Sequence, residues 1–150
     1  MAHISLLTPL GHLTVFAENA ALVALDFGHA PGGEATPVLH EVKRQLDAYF
    51  DGRLHAFDVP LEPVGSHFQQ TLWQALLAIP YGATVTYGDI GRQIGAPARA
   101  VGRGCGNNPI PIIIPCHRVV GAGGRLVGYS GGEGTATKQA LLRLEGAVLL

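Results

Sequence analysis

The chain is short of cysteine, methionine, tryptophan and charge: two Cys, one Met and one Trp in 150 residues, with only 14% Asp, Glu, Lys or Arg. Two cysteines cannot build a disulfide framework, so stability has to come from a core. No charged n-region is followed by an apolar run of signal-peptide length, and no stretch approaches the length of a membrane span. These absences predict a cytoplasmic chain with reduced thiols and no membrane partner. His3, His12, His29, His40 and His55 are scattered without ligand spacing, so no metal is expected there. What the chain does have is apolar residues, 47% of the total. That is enough for one domain of ordinary size, or for two small lobes sharing a core.

One absence is local. Between Asp89 and Glu133 there is no acid, yet Arg92, Arg99, Arg103, Arg118 and Arg125 all fall in that stretch. Residues 1–89 hold nine acids against three bases, a net of −6, and residues 90–150 hold two against seven, a net of +5. A basic half on a nearly neutral chain is the electrostatic footprint expected for a polyanion. Five solvated arginines with no partner would give the same count.

The pattern divides the chain at about residue 65, giving a lobe over 1–64 and a domain over 65–150. In the first part, His12–Ala17 and Ala21–Phe27 flank Asn19-Ala20 and predict a hairpin. Residues 28–36 are a Gly- and Pro-containing loop. Val38, Val42, Leu46, Tyr49 and Phe50 recur at helical spacing and stop at Asp51-Gly52. Leu54–Leu61 predicts another short strand, closed by Pro63-Val64-Gly65. In the second part, Ser66-x-x-Gln69 is a capping-box start, and Phe68, Leu72, Leu76 and Ile79 make one helical face. Thr86-Tyr87-Gly88-Asp89 opens a second helix with Ile90 and Ile94 as its buried positions. Gly95-Ala96-Pro97 turns into a third, Ala98–Cys105. Two short helices joined by a Gly-containing turn have the outline of a helix-turn-helix.

The most informative segment is Pro115-Cys116-His117-Arg118-Val119. A thiol is a useful nucleophile only as thiolate, and an adjacent base or positive charge lowers the pKa that controls it. Ile110–Pro115 before it predicts a short buried strand that would hold such a thiol in place. A buried Cys acting as a small hydrophobe is the other reading. The charged His117-Arg118 pair, however, does not suit a continuing core strand.

Ile114-Pro115-Cys116-His117-Arg118-Val119-Val120-Gly121, with Asn108-Pro109 upstream, resembles the active-site signature of the O6-alkylguanine-DNA alkyltransferases, the methylated-DNA–protein-cysteine methyltransferases. So do Gly128-Tyr129-Ser130-Gly131-Gly132 and Leu141-Leu142-Arg143-Leu144-Glu145-Gly146. Further matches are Phe68-Gln69 to Trp73, Ile79-Pro80-Tyr81-Gly82, Thr86-Tyr87-Gly88 and Arg99-Ala100-Val101-Gly102. The likeness covers about residues 66–146. It implies an α+β fold: a small N-terminal α/β lobe, then a helical C-terminal domain whose helix-turn-helix (winged-helix-like) region accompanies the active-site cysteine.

The same resemblance implies a monomeric, single-turnover DNA-repair enzyme without cofactor or metal. Its partner is double-stranded DNA carrying O6-alkylguanine, gripped from the minor groove with little sequence preference, the lesion flipped out of the stack. O4-alkylthymine is a second possible substrate. By similarity, Cys116 accepts the alkyl group, His117 is the base acting through a water, and Glu145 orients His117. Asn108 ties the DNA-binding helix to the active-site strand. Tyr87 crowds the phosphate and then hydrogen-bonds N3 of the flipped base. Arg99 is the finger that fills the vacated space, with Ala100, Arg103 and Arg118 on the DNA-binding surface. Pro111, Val119, Tyr129 and Ser130 line the base pocket.

Three departures from the family pattern stand out. Pro97-Ala98-Arg99-Ala100-Val101-Gly102 is about two residues shorter than the usual Pro-Lys-Ala-x-Arg-Ala-Val-Gly, which shortens the turn before Arg99. Arg103-Gly104-Cys105-Gly106 is glycine-rich, expected to loosen the helix by roughly a few kcal/mol. Gly132–Lys138 reads as a loop about two residues long for the family. No N-terminal cysteine cluster is present, so the structural zinc of some members is not carried over. Other readings are a helix-turn-helix regulator, a lesion-binding sensor with impaired transfer, and a thiol hydrolase or zinc site using Cys105, Cys116 and His117.

Overall fold

The structure, a computed structural model, describes residues 1–147, and the chain separates into two units, Met1–Val64 and a second beginning at Gly65. In the first, strands β1 (Ala2–Thr8), β2 (Gly11–Glu18) and β3 (Ala21–Phe27) form an antiparallel sheet in the order β1-β2-β3. The predicted hairpin is β2–β3, turning at Asn19, whose φ of +55° is one that Asn tolerates. Strand β1 is not announced by the sequence pattern, because Ser5 and Thr8 interrupt its apolar residues.

Helix α1 (Pro37–Phe50) lies on this sheet with Leu39, Val42, Leu46 and Tyr49 fully buried. Burial of side chains that size is worth about 1.5–3 kcal/mol each. The expected strand Leu54–Leu61 is not formed. Only Leu61 makes a bridge, to Leu22. Two causes are visible. Pro60 has no N–H for a ladder. In addition, the Gln45 side chain takes both backbone groups of Asp58, accepting from its N–H at 2.8 Å and donating to its carbonyl at 3.0 Å.

The second unit is helical. Helix α2 (His67–Leu77) starts at the reciprocal Ser66–Gln69 capping box and buries Leu72, Trp73, Ala75 and Leu76, while Phe68 stays 37% exposed. Strand β4 (Val85–Thr86) runs directly into α3 (Tyr87–Ile94), capped by Thr86 and Asp89 and ended by Gly95 at φ +73°. Ile90 is buried and Ile94 half-buried. Helix α4 (Ala98–Gly106) follows after Gly95-Ala96-Pro97. Its glycines have a use. A Cβ at Gly104 would collide with Leu72 of α2, and Trp73 Nε1 donates to the Gly104 carbonyl at 3.4 Å. Gly104 is therefore a close-approach position.

Two further expectations are corrected. Ile110–Pro115 is a buried turn, closed by Ile114 N–H donating to the Ile110 carbonyl at 2.9 Å, with Ile112 at φ +75°. A short apolar run cannot be told from other buried backbone by periodicity alone. The strand in this region is β5 (Val119–Val120), which pairs in parallel with β4, Val85 beside Val119 and Thr86 beside Val120. Gly132–Lys138 is not a loop throughout: helix α5 (Thr135–Leu144) begins inside it.

Candidate active site

Cys116, His117 and Arg118 form a single 3-10 turn between the Ile110–Ile114 turn and β5, and all three are buried. Cys116 N–H donates to the Ile114 carbonyl at 2.8 Å. Asn108 braces the turn beneath it: its Nδ2 donates to the Ile114 carbonyl at 2.8 Å and its Oδ1 accepts from Ile110 N–H at 3.0 Å. The Asn108 backbone N–H reaches back to the Cys105 carbonyl at 3.2 Å, and its side chain also hydrogen-bonds the Cys116 thiol. One asparagine thus joins the end of α4 to the sulfur, in a turn that carries a β-branched residue at an unfavourable φ.

Glu145 is the residue that follows α5. His117 Nε2 donates to Glu145 Oε2 at 2.8 Å, and neither side chain is solvent-accessible. A carboxylate has no proton to give, so it selects the Nε2–H tautomer and leaves Nδ1 as the basic nitrogen. Nδ1 is buried with no hydrogen-bond partner among the described residues.

Arg118 requires a correction. It is not on a DNA-binding surface: it is 7% exposed, and each of its three guanidinium nitrogens is hydrogen-bonded inside the unit. Nε donates to Glu145 Oε1 at 2.8 Å, Nη2 to Glu145 Oε2 at 3.0 Å, and Nη1 to the Ile79 carbonyl at 2.7 Å. A phosphate cannot reach it.

The electrostatics differ from the expectation for an activated thiol. Burial pushes the Cys116 pKa up, and this outweighs the Asn108 hydrogen bond and the Lys138 charge that pull it down. The positive charge next in sequence is spent on Glu145. Burial likewise lowers the His117 pKa, against the raising effect of Glu145. At rest the site therefore holds a neutral thiol and a neutral imidazole. A dry pocket favours that pair over separated charges.

Lys138, on the first turns of α5, was read only as part of a loop, yet it is fully buried. Its Nζ donates to the carbonyls of Val119 (2.6 Å), Val127 (3.0 Å) and Gly128 (3.2 Å), and to the Tyr87 hydroxyl at 3.3 Å. A Lys at a position where the helical pattern demands burial was the available signal. Tyr87, the first residue of α3, donates its hydroxyl to the Val127 carbonyl at 3.2 Å. Burial, then Cys105 and Cys116, push its pKa up to about 12. Tyr129 is half-buried, its pKa raised by burial and then by Cys116.

The other pocket candidates are arranged around these groups. Ser130 is exposed, its Oγ donating to the Gly106 carbonyl at 3.5 Å, and Pro111 is half-buried in the turn closed on Ile114. Val119 donates its N–H to the Cys116 carbonyl, and its own carbonyl accepts from Lys138. A base edge would have to use that oxygen's second lone pair. Arg99 and Arg103 are exposed on α4 and Ala100 is half-buried, so these three stand apart from the buried cluster.

Cys116 thus shares one buried turn with an imidazole–carboxylate pair, in a unit whose α3 and α4 are joined by a glycine-containing turn in helix-turn-helix outline. The family model described as "6-O-methylguanine DNA methyltransferase, DNA binding domain" matches residues 67–147, and "6-O-methylguanine DNA methyltransferase, ribonuclease-like domain" matches residues 1–63. A methylated-DNA–protein-cysteine methyltransferase of Mycobacterium bovis is 60% identical over 103 residues, covering 67% of this chain and 61% of that protein. One from Methanosarcina barkeri is 43% identical over 148 residues, covering 92% of each. The crystal structure of Mycobacterium tuberculosis OGT in complex with DNA superposes with a TM-score of 0.88 at 45% identity, covering 97% of this chain and 93% of that one. The chain belongs to the 6-O-methylguanine DNA methyltransferase family.

Proposed function

We propose that this protein repairs alkylated DNA by moving the alkyl group from O6 of a flipped-out guanine onto Cys116, once per molecule. The observation that carries the reading is the hydrogen-bonded set His117–Glu145–Arg118 built onto the turn of a buried thiol. Cys116 sulfur attacks the alkyl carbon, a carbon–sulfur bond forms, and the carbon–O6 bond breaks with its electron pair going to guanine. The thiol proton leaves toward His117 Nδ1 through a water, and Glu145 stabilises the imidazolium that results. Because burial holds the resting thiol neutral, proton transfer is coupled to substrate arrival instead of preceding it. The raised Tyr87 pKa keeps that hydroxyl protonated, which suits a donor to N3 of the departing base.

Delivery of the base falls to α3 and α4. Arg99, exposed near the start of α4, is the candidate finger, with Ala100 and Arg103 beside the groove. The working partner is duplex DNA with O6-alkylguanine, and no cofactor is required. No described helix is long and apolar enough to cross a membrane, and a cytoplasmic location agrees with the free thiols of Cys105 and Cys116.

The test is an intact-mass measurement after incubation with duplex DNA carrying O6-methylguanine. The wild type gains one methyl group, about 14 Da, as a covalent cysteine adduct, and Cys116→Ser gains nothing. Binding of the duplex without any mass gain would instead make the protein a lesion sensor.

A further inference from the structure

We propose that Arg118 is a positioning residue for alkyl transfer, fixing the Glu145 carboxylate against which His117 is set. The proposal rests on the reading of Cys116 as the alkyl acceptor. Arg118 lies two residues after the nucleophile, in the same turn, and its side chain is only 8% exposed. Its fork takes Glu145 Oε1 through Nε and, through Nη2, shares Oε2 with His117 Nε2. A bidentate guanidinium–carboxylate pair leaves the carboxylate a single orientation, which a monodentate lysine does not enforce.

The arginine is itself anchored. Nη1 is held by the Ile79 carbonyl, just past α2, and the guanidinium lies 5.8 Å from the centroid of the Tyr81 ring. Tyr81 in turn donates its hydroxyl to the carbonyl of Leu144, the residue before Glu145, at 3.2 Å. The segment after α2 thus grips both the arginine and the backbone that presents the carboxylate.

This cage does two things for the proton acceptor. A buried carboxyl tends to become neutral, and a fixed cation beside it keeps Glu145 ionised so that His117 retains its Nε2–H anchor. The same positive charge opposes protonation of His117 at rest, keeping Nδ1 open. The charged and titratable groups facing His117 are Glu145 and Lys138 on the α5 side and Arg118 and Cys116 in its own turn, with Tyr81 facing the Arg118–Glu145 pair. Lys138 and Arg118 both disfavour the imidazolium, and Glu145 favours it.

The experiment uses the full chain with Arg118→Met, Arg118→Lys, Glu145→Gln and the Arg118→Met/Glu145→Gln double variant. It reads the methyl-transfer rate against pH, melting temperature, and duplex affinity at several salt concentrations in a Cys116→Ser background. Arg118→Met is expected to slow transfer by roughly 10- to 100-fold, part of what a positioned general base supplies. Its acid limb should move to higher pH, because a charge opposing His117 protonation is gone. Duplex affinity and its salt slope should stay unchanged. Arg118→Lys should recover part of the rate, and the double variant should be no slower than Glu145→Gln alone.

A folded Arg118→Met with wild-type rate and pH profile overturns the proposal. So does weakened duplex binding with a salt slope flatter by about one, the mark of a lost phosphate contact. If Arg118→Met does not fold, a folded Arg118→Lys decides: an unchanged rate and profile overturns the proposal, and a slowed, shifted one supports it. Absence of an adduct in the wild type is a different failure, overturning the reading of Cys116 itself.

Discussion

The two units differ in what they bury, although both carry exposed ion pairs, Arg92–Asp89 in the second. In residues 1–64 the ion pairs Lys43–Asp47, Arg44–Glu41 and Arg53–Asp51 all sit at the surface, and the buried polar residues are the neutral Thr8, Thr14 and Gln45. In the second unit His117, Arg118, Lys138 and Glu145 are all inside. Surface pairs contribute little to stability, while buried charges cost several kcal/mol of desolvation each unless they are closely partnered. Buried charge on this scale is a poor way to stabilise a fold and a good way to hold chemical groups in place.

The contrast can be broken most sharply at the carboxylates. Glu145→Gln leaves the Arg118 cation buried without a counter-charge and should destabilise the second unit by about 3–5 kcal/mol. Denaturant unfolding followed by the fluorescence of Trp73, the chain's one tryptophan, reports on that unit directly. Glu41→Gln, which removes an exposed pair, should leave the midpoint of the first unit where it was.

Next come the lysines. Lys138→Met strips a cation from three carbonyls and should cost about 1–3 kcal/mol. Faster amide exchange across residues 127–130 should accompany it, because Val127 and Gly128 lose their anchor. Lys43→Met should change neither measurement.

The smallest effect is in pH. Burial sets the folded His117 pKa below its ordinary value, so the unfolded chain binds more protons in the interval between the two. Stability from this source is complete above about pH 6.5 and is lost as pH falls toward the folded pKa. Trp73-monitored stability should therefore decline on acidification below that point, and His117→Gln should flatten the decline.

Local signals were the most legible part of the sequence. The Ser66–Gln69 capping box and the helix start at Thr86–Asp89 are short-range patterns, and both form. The α1 face and the β2–β3 hairpin follow from period and turn residues alone. The errors share one physical origin: residue type states polarity but not depth. Arg118 belongs to a run of arginines that looks like a surface, and only the fold places it beside Glu145, 27 positions away. Lys138 reads as a charge in a loop, and its depth becomes legible only when the segment is taken as helical. Ile110–Ile114 is apolar enough for a strand, but with Ile112 left-handed it is a turn, closed by the Ile114 N–H to Ile110 carbonyl bond and braced at both ends by Asn108.

The rung formed by Val85–Thr86 and Val119–Val120 governs where this chain can change length. Paired strands stand about 4.8 Å apart, so the residue that opens α3 and the turn that carries the sulfur are spaced by one backbone ladder. Residues gained or lost in Gly95–Pro97 or across 121–134 leave that spacing alone. A single residue inserted between Thr86 and Tyr87 would swing every later side chain of α3 by about 100°. Homologous chains can therefore be expected to vary freely in their loops and not at all across this caliper.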